Sequence, residues 1–365
     1  MWMTGKEPGS SVVAHEWGTF TSVAMDTGAP ARWAPWSGPA DLPCFVHRDS
    51  QRRKFELSGL VRMETPVIYF YSDKPATVSV DVDFPKGLVT EWYPQASKIR
   101  SAQVTAIAPA PISPEHGGIS WNSVQLIPGN SPTPPSGKPN HYFAARNTDA
   151  TPLRVQDEDE KLLFYRGVGN FVVPLRVRYP GDGTLEIRNL GPDTIPVAIA
   201  FENQGGKIGY RVVRDLKGEV SIEPPALTAD GTKLRSELAR ELIAAGLYEK
   251  EAAAMIDTWR DSWFEEGSRV FYVVPRAEVD RVLPLQIQPA PAQIARVFVG
   301  RVEVLSPYTE RTVAEANRTA DVATLKRFGR FLEPFAAQMK LAGSPALIAA
   351  QRELAIDYAS ATCVR

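Results

Sequence analysis

The sequence predicts an α+β protein: a β-rich, sandwich-like region of packed antiparallel sheets over residues 1–225, then a mainly helical region over 226–365 docked on it. Three observations predict this. Before Pro225 many short segments alternate apolar and polar residues between Gly, Pro and Asn turns, the pattern of packed sheets. After Pro224-Pro225 the apolar residues recur every fourth position, the spacing of amphipathic helices. A chain of 365 residues also exceeds the size at which one core usually keeps growing, which favours two units.

The first strand is Ala14–Val23, where alternation places His15, Trp17, Thr19, Thr21 and Val23 on one face and Glu16, Phe20 and Ser22 on the other. A half-buried structural strand gives one face to aliphatics; here the fuller face carries an imidazole, an indole and two hydroxyls, a composition suited to a site. The Pro- and Trp-rich loop 28–43 follows, with Trp33 and Trp36 either marking a recognition surface or capping the core. Leu60–Tyr71 is long and apolar, with Pro66 as a bulge or edge. Ala76–Phe84 alternates cleanly, Val78, Val80 and Val82 inward against Ser79, Asp81 and Asp83.

Further strands are predicted over 88–93, 103–108, 119–127, 141–146, 161–166, 171–179, 184–189, 195–202, 207–213 and 219–222. Pro180-Gly181-Asp182-Gly183 and Asn203-Gln204-Gly205-Gly206 supply hairpin turns. Past the double proline, Leu234, Leu238 and Leu242 define a helix over 233–245, and Met255, Trp259 and Trp263 define another over 250–264 as an interhelix core. Strands over 269–274 and 295–305 return the chain to a sheet. Helices over 309–318, 322–341 (kinked at Pro334) and 345–359 complete it.

Composition narrows the partners. Lys plus Arg number 41 against 42 Asp plus Glu, a net charge of −1, so no global field attracts nucleic acid or an anionic membrane surface. No run approaches the ~18 apolar residues of a membrane span. Cys44 and Cys363 fit either one disulfide formed in an oxidising compartment or two separate buried thiols. Residues 1–14 lack the apolar centre of a signal peptide; few cysteines, 31 prolines and many Trp and Tyr favour an extracytoplasmic protein whose leader has been removed over a cytoplasmic one.

Four histidines occur, His15, His47, His116 and His141, all in the β-rich part; His116, in a Pro/Gly loop, reads as an ordinary exposed residue. Convergence of His15, His47 and His141 with Glu16 or Glu64 would suit Zn, Cu or Fe, because neutral imidazoles bind borderline metals and a carboxylate completes the charge. No HExxH motif and no ligand-spaced cysteine pair accompanies them. Arg62 and Glu64, two apart on an apolar strand, form an ion pair or serve as anion clamp and general base. Tyr165-Arg166 end a strand in a glycine turn without a nucleotide fingerprint; with Arg146 and Asp149 they are candidates for a polar pocket. Cys44 with His47 is a weak nucleophile pair, and no GxSxG occurs.

The runs HEWGTFTSV, RMETPVIYFY, HYFAARNTDA, EKLLFYRGVGNF and DSWFEEGSRVFYVVPRAEVDRVLP resemble a family of uncharacterised bacterial proteins, often preceded by a leader peptide. The similarity covers most of the chain. It implies an exported protein whose front and rear parts form one unit, and carries no activity or cofactor with it.

These readings lead to an exported, metal-dependent hydrolase or oxidoreductase acting on a small polar molecule or a polysaccharide. Its expected catalytic residues are Glu64, Arg62, Tyr165 and Arg166, its metal ligands His15, Glu16, His47 and His141, and its substrate contacts Trp17, Trp33, Trp36 and Arg146. The alternatives are a non-catalytic sandwich that binds carbohydrate or protein through Trp33 and Trp36, and a structural envelope protein.

Overall fold

A computed structural model describes residues 12–34, 42–48, 58–100, 115–181 and 183–360. Strand β1 (Val13–Val23) is followed by β2 (His47–Arg48), β3 (Val61–Tyr71), β4 (Ala76–Phe84), β5 (Gly87–Tyr93), β6 (Lys98–Arg100) and β7 (Gly117–Leu126). A 3-10 helix, His141–Arg146, precedes β8 (Leu153–Val155), β9 (Glu158–Glu160), β10 (Leu163–Gly169), β11 (Leu175–Arg178) and β12 (Leu185–Asn189). Then come β13 (Ile195–Gln204), β14 (Lys207–Leu216), β15 (Glu219–Ile222), α1 (Gly231–Ala244) and α2 (Glu249–Trp263). Next are β16 (Gly267–Val273), α3 (Arg276–Val282), β17 (Leu285–Gln288) and β18 (Gln293–Val304). The last elements are α4 (Pro307–Arg318), α5 (Val322–Lys326), a 3-10 turn Gly329–Phe331, α6 (Leu332–Gln338) and α7 (Pro345–Ser360).

The fold is α+β and layered around a nine-stranded sheet of order β14-β13-β16-β18-β1-β3-β10-β5-β2. Strand β1 lies at its middle and pairs in parallel with β18 through eleven unbroken partners, from Val13↔Gln293 to Val23↔Glu303. On its other side β3 runs antiparallel. Strands β16 and β18, which follow Pro225, thus share a sheet with β13 and β1, which precede it. Burial on both faces explains why β1 and β3 do not alternate between apolar and polar residues.

One face of this sheet packs on two smaller sheets, β17-β4-β7-β8-β9 and β11-β12-β15. Phe20, Met63, Ile68, Phe70 and Tyr272 meet Val80, Val82, Trp121, Val177 and Ile187 there, in the interior of a sandwich. The opposite face carries Trp17, Val67, Tyr69, Phe271 and Val299, against Leu234, Leu238 and Leu242 of α1 and Met255, Trp259 and Trp263 of α2. A satellite core joins Val313 of α4, Leu325 of α5, Leu332 of α6 and Leu347 of α7. Among the described residues no helix is long and apolar enough to cross a membrane.

Two predicted elements differ. Residues 141–146 form a 3-10 helix rather than a strand, because the Asn140 side chain accepts from the Tyr142 N–H and caps a helical turn. The predicted helix 322–341 breaks at Gly329, at φ +47°, instead of kinking at Pro334. Pro334 occupies the first turn of α6, where no N–H is required. The strand predicted over 103–108 lies outside the described residues.

Candidate functional site

The site is created by bulges in β3 and β5, the two strands that flank β10. Against β1, the register of β3 passes from Trp17↔Val67 to Thr19↔Glu64, so Thr65 and Pro66 together face Gly18. Against β10 it passes from Phe164↔Val67 to Gly167↔Met63, again with one extra residue on β3. Strand β5 holds a second bulge at Thr90, between Arg166↔Glu91 and Gly167↔Val89. Pro66 has no N–H for the ladder, and Thr65 sits at φ +49°, an outlier for a β-branched residue. Gly18 and Gly167 are required by close approach: a Cβ would meet the Phe298 ring at 2.7 Å at the first and the Leu88 carbonyl oxygen at 2.0 Å at the second.

The bulge exchanges faces. With strict alternation Arg62 and Glu64 would share the sandwich side with Ile68 and Phe70. The extra residue turns them instead to the helix side, beside Thr21 and Thr19, and sends Met63 into the sandwich core. Across the sheet this side also carries Arg301, Glu303 and Arg269.

The result is a buried charge network. Arg330, on the 3-10 turn before α6, places Nη2 3.0 Å from Glu64 Oε1, and Arg62 Nε is 3.7 Å from the same oxygen. Arg301 donates to Glu303 at 2.5 Å and to Glu265 at 2.7 Å, and Arg269 Nε lies 2.7 Å from Glu303. The Arg269 guanidinium also donates to the carbonyls of Trp263, Glu265 and Glu266, closing the C-terminus of α2. Burial alone would push the Glu64 carboxyl up, but Arg330, Arg62 and Arg301 hold it below its ordinary value. Burial lowers the Arg62 guanidinium, and neighbouring Arg330 and Arg166 add to that against the pull of Glu64.

Above this network is a cavity of about 180 Å³. Arg62 and Arg330 form part of its wall, with His141 and Tyr142 from the 3-10 helix and Thr258, Trp259, Asp261, Ser262 and Glu265 from α2 and the turn after it. Among the described residues, Arg330 Nε and Trp259 Nε1 are buried without a hydrogen-bond acceptor. A buried donor without an acceptor is costly, and one that lines a polar cavity is a ready partner for a bound acceptor. A second cavity, about 40 Å³ and almost wholly apolar, lies beside the first, and Tyr142 lines both.

The sequence candidates fall in separate places. His15 and Glu16 lie on opposite sides of β1. His15 Nδ1 is 2.8 Å from Glu251 Oε2 of α2, whose other oxygen accepts from the Tyr71 hydroxyl, so it clamps a helix to the sheet. Glu16 instead accepts from Tyr165 and from Arg296 Nε, each at 2.5 Å, which makes Tyr165 part of a buried pair in the sandwich layer. His47 is at the sheet edge, half-buried and 2.8 Å from Glu158. His141 alone of the four expected ligands lines the cavity. The expected convergence is therefore corrected: alternation puts His15 and Glu16 on different layers, and β3, β10 and β5 separate β1 from β2. Among the described residues no three His, Cys, Asp or Glu side chains are grouped to hold an ion.

Arg62 and Glu64 do meet, whereas Arg166 is directed to Glu91, at 3.0 and 3.2 Å. Trp17 is core, packed near Tyr69. Trp33 is also core, against Phe331, because the returning chain pairs with Gly59 and covers it, so it is no exposed recognition residue. Trp36 lies outside the described residues. Arg146 is held by Glu160 and lies over Phe143, at the apolar cavity. Asp149 pairs with Lys250 at the surface. Cys44 is disulfide-bonded, which removes it as a nucleophile; the chain's other cysteine, Cys363, lies outside the described residues. His116 is an exposed turn residue.

Sequence reasoning missed Arg330, Trp259 and Glu265. Trp259 was legible only as a helix stripe, and Arg330 interrupts the apolar run Phe328, Phe331, Leu332, where a lone charge was the available signal.

No protein-family model and no curated protein matches this chain. Among solved structures it is similar to the yeast delta-COP-I mu-homology domain at 8% identity, covering 81% of this chain and 97% of that one, with a TM-score of 0.28. That likeness is too slight to bear on function.

Proposed function

We propose that the protein binds a small polar anion, carrying a carboxylate or phosphate group, in the 180 Å³ cavity over the bulged part of the central sheet. The observation that carries this reading is Arg330. Its side chain is buried, has one ion-pair partner among the described residues, Glu64, and keeps Nε without an acceptor, and the residue lines a space larger than one water. A planar guanidinium matches a carboxylate or phosphate through parallel hydrogen bonds, and partial burial strengthens them. Arg62 adds positive potential, and Trp259 Nε1 adds a neutral donor. His141 lines the same cavity and adds an imidazole to its wall.

Calorimetric titration of the full chain with inorganic phosphate and with acetate tests the reading. The wild type is expected to bind at least one of them. Arg330→Lys keeps the charge opposite Glu64 but loses the fork, and is expected to weaken binding at least tenfold with an unchanged far-UV spectrum. Absence of binding by either anion, or equal affinity in the variant, refutes it.

A further inference from the structure

The small apolar cavity next to the anion site has no role in the reading above, and its position is informative. Its walls include Phe45 and Val46 from the segment 42–48, Val67 and Thr65 from the β3 bulge, and Leu162 and Phe164 leading into β10. Thr65 borders this cavity and Arg62, three residues earlier on the same strand, borders the polar one. One residue is common to both linings. Tyr142 lines both cavities, lies edge-on to Trp259 at 6.0 Å and near Phe164 at 6.4 Å, and belongs to the short 3-10 helix His141–Arg146.

We infer that the ligand is an amphipathic anion, whose charged group sits at Arg330 and whose short apolar arm enters the compartment of Phe45, Val67, Leu162 and Phe164 past Tyr142. This rests on the anion-binding reading and adds to it the class of molecule. The compartment, about 40 Å³, exceeds the ~10–15 Å³ that one water needs, and apart from the Arg146–Glu160 pair and the hydroxyls of Thr65, Tyr93 and Tyr142 its lining is apolar. Its accessible lining is almost wholly apolar, and apolar surface is covered favourably by carbon. Tyr142, a partly buried residue, is common to both walls, so the two spaces adjoin there. The polar cavity by itself suits any small anion; the adjoining apolar compartment selects those with an alkyl or aryl arm.

The test is a homologous series on the full chain: acetate, butyrate and hexanoate, titrated against wild type, Arg330→Lys and Val46→Phe. In the wild type the dissociation constant is expected to fall about fourfold for each of the first few methylenes, then level off once the compartment is full. Arg330→Lys is expected to weaken every member by a similar factor. Val46→Phe, which occupies the compartment, is expected to leave acetate unchanged and abolish the gain along the series. Should acetate bind in an Arg330-dependent way with no gain for butyrate, this inference is overturned and the anion site stands. A gain that persists in a folded Val46→Phe variant also overturns it, since the arm then lies elsewhere. If no carboxylate and no phosphate binds, both readings fall. The wild-type series decides the question even if Val46→Phe does not fold.

Discussion

Glu64→Gln is the substitution that interrogates the buried network most directly. Gln has nearly the volume of Glu, so no cavity opens, and what is lost is the negative charge facing Arg330 at 3.0 Å and Arg62 at 3.7 Å. Two unit charges about 4 Å apart interact by roughly 4 kcal/mol at an effective dielectric constant of ~20. Two such attractions are opposed by the desolvation of the carboxylate, several kcal/mol, which the amide escapes. The expected net loss is about 3–5 kcal/mol at pH 7, as for other buried pairs deprived of one partner.

The pH dependence carries its own sign. The Glu64 carboxyl is held below its ordinary value near 4.5, so its contribution is complete above that pH and is lost as pH falls through the lower folded-state value. Urea unfolding of wild type, Glu64→Gln, Arg330→Met and the double variant measures the coupling. A coupling above about 1 kcal/mol at pH 7 that shrinks below pH 4 is expected. Saturating anion should restore part of the stability of Glu64→Gln, by about 2.7 kcal/mol at one hundred times the dissociation constant. A Glu64→Gln protein within about 1 kcal/mol of wild type at pH 7 would refute the reasoning, because the arginines would then need no counter-charge.

Two further substitutions test the frame around the site. Gly18→Ala sets a methyl 2.7 Å from the Phe298 ring and 3.1 Å from Pro66, neither of which is free to move, so a loss of about 1–3 kcal/mol in urea unfolding is expected and an unchanged midpoint would count against the packing at the bulge. Glu202 has the opposite titration sign to Glu64: burial pushes its carboxyl up, with Gln204 its hydrogen-bond donor at 2.8 Å, so its ionisation works against folding as pH rises above about 4.5. Glu202→Gln should therefore be more stable than wild type at pH 7 by about 1 kcal/mol and indistinguishable at pH 4; a destabilised variant at pH 7 would show that the charge is needed.

Local pattern was legible where burial follows period. Val78, Val80 and Val82 point inward and Ser79, Asp81 and Asp83 outward along β4, as alternation required, and Leu234, Leu238 and Leu242 form the buried stripe of α1. The faces of β1 were legible too, since its register against β18 is unbroken. Long-range pairing was not. Nothing local in HEWGTFTSV specifies that Arg296 will neutralise Glu16, or that Glu251 will hold His15, because such partners are chosen by topology. Trp33 shows the same gap in reverse: a tryptophan in a proline-rich loop has the composition of an exposed contact, yet a bridge to Gly59 and the ring of Phe331 bury it. For His15, Glu16, His47 and His141, residue chemistry was readable and proximity was not, and a metal centre depends on proximity.

Pro66 is the instructive case, because the sequence marked a bulge and left its consequence hidden. One inserted residue reverses the facing of the residues on one side of it relative to those on the other. Had β3 stayed in register, Arg62 and Glu64 would enter the sandwich core, where Phe20, Val61 and Ile68 offer no counter-charge, and burying them would be prohibitive. The bulge delivers them to the side where α2 and the turn before α6 bring Glu265 and Arg330. The second bulge does the same for β5, sending Val89 to the sandwich core while Glu91 meets Arg166 on the helix side. Fold and site are therefore coupled: buried charges on this sheet persist where a counter-charge faces them, within regular pairing for Glu16 with Arg296 and for Arg301 with Glu303, and through the bulge for Arg62 and Glu64. Arg62 of this site is carried by a central strand and its Glu64 partner also holds Arg330, so the two guanidiniums are oriented by contacts that need no ligand.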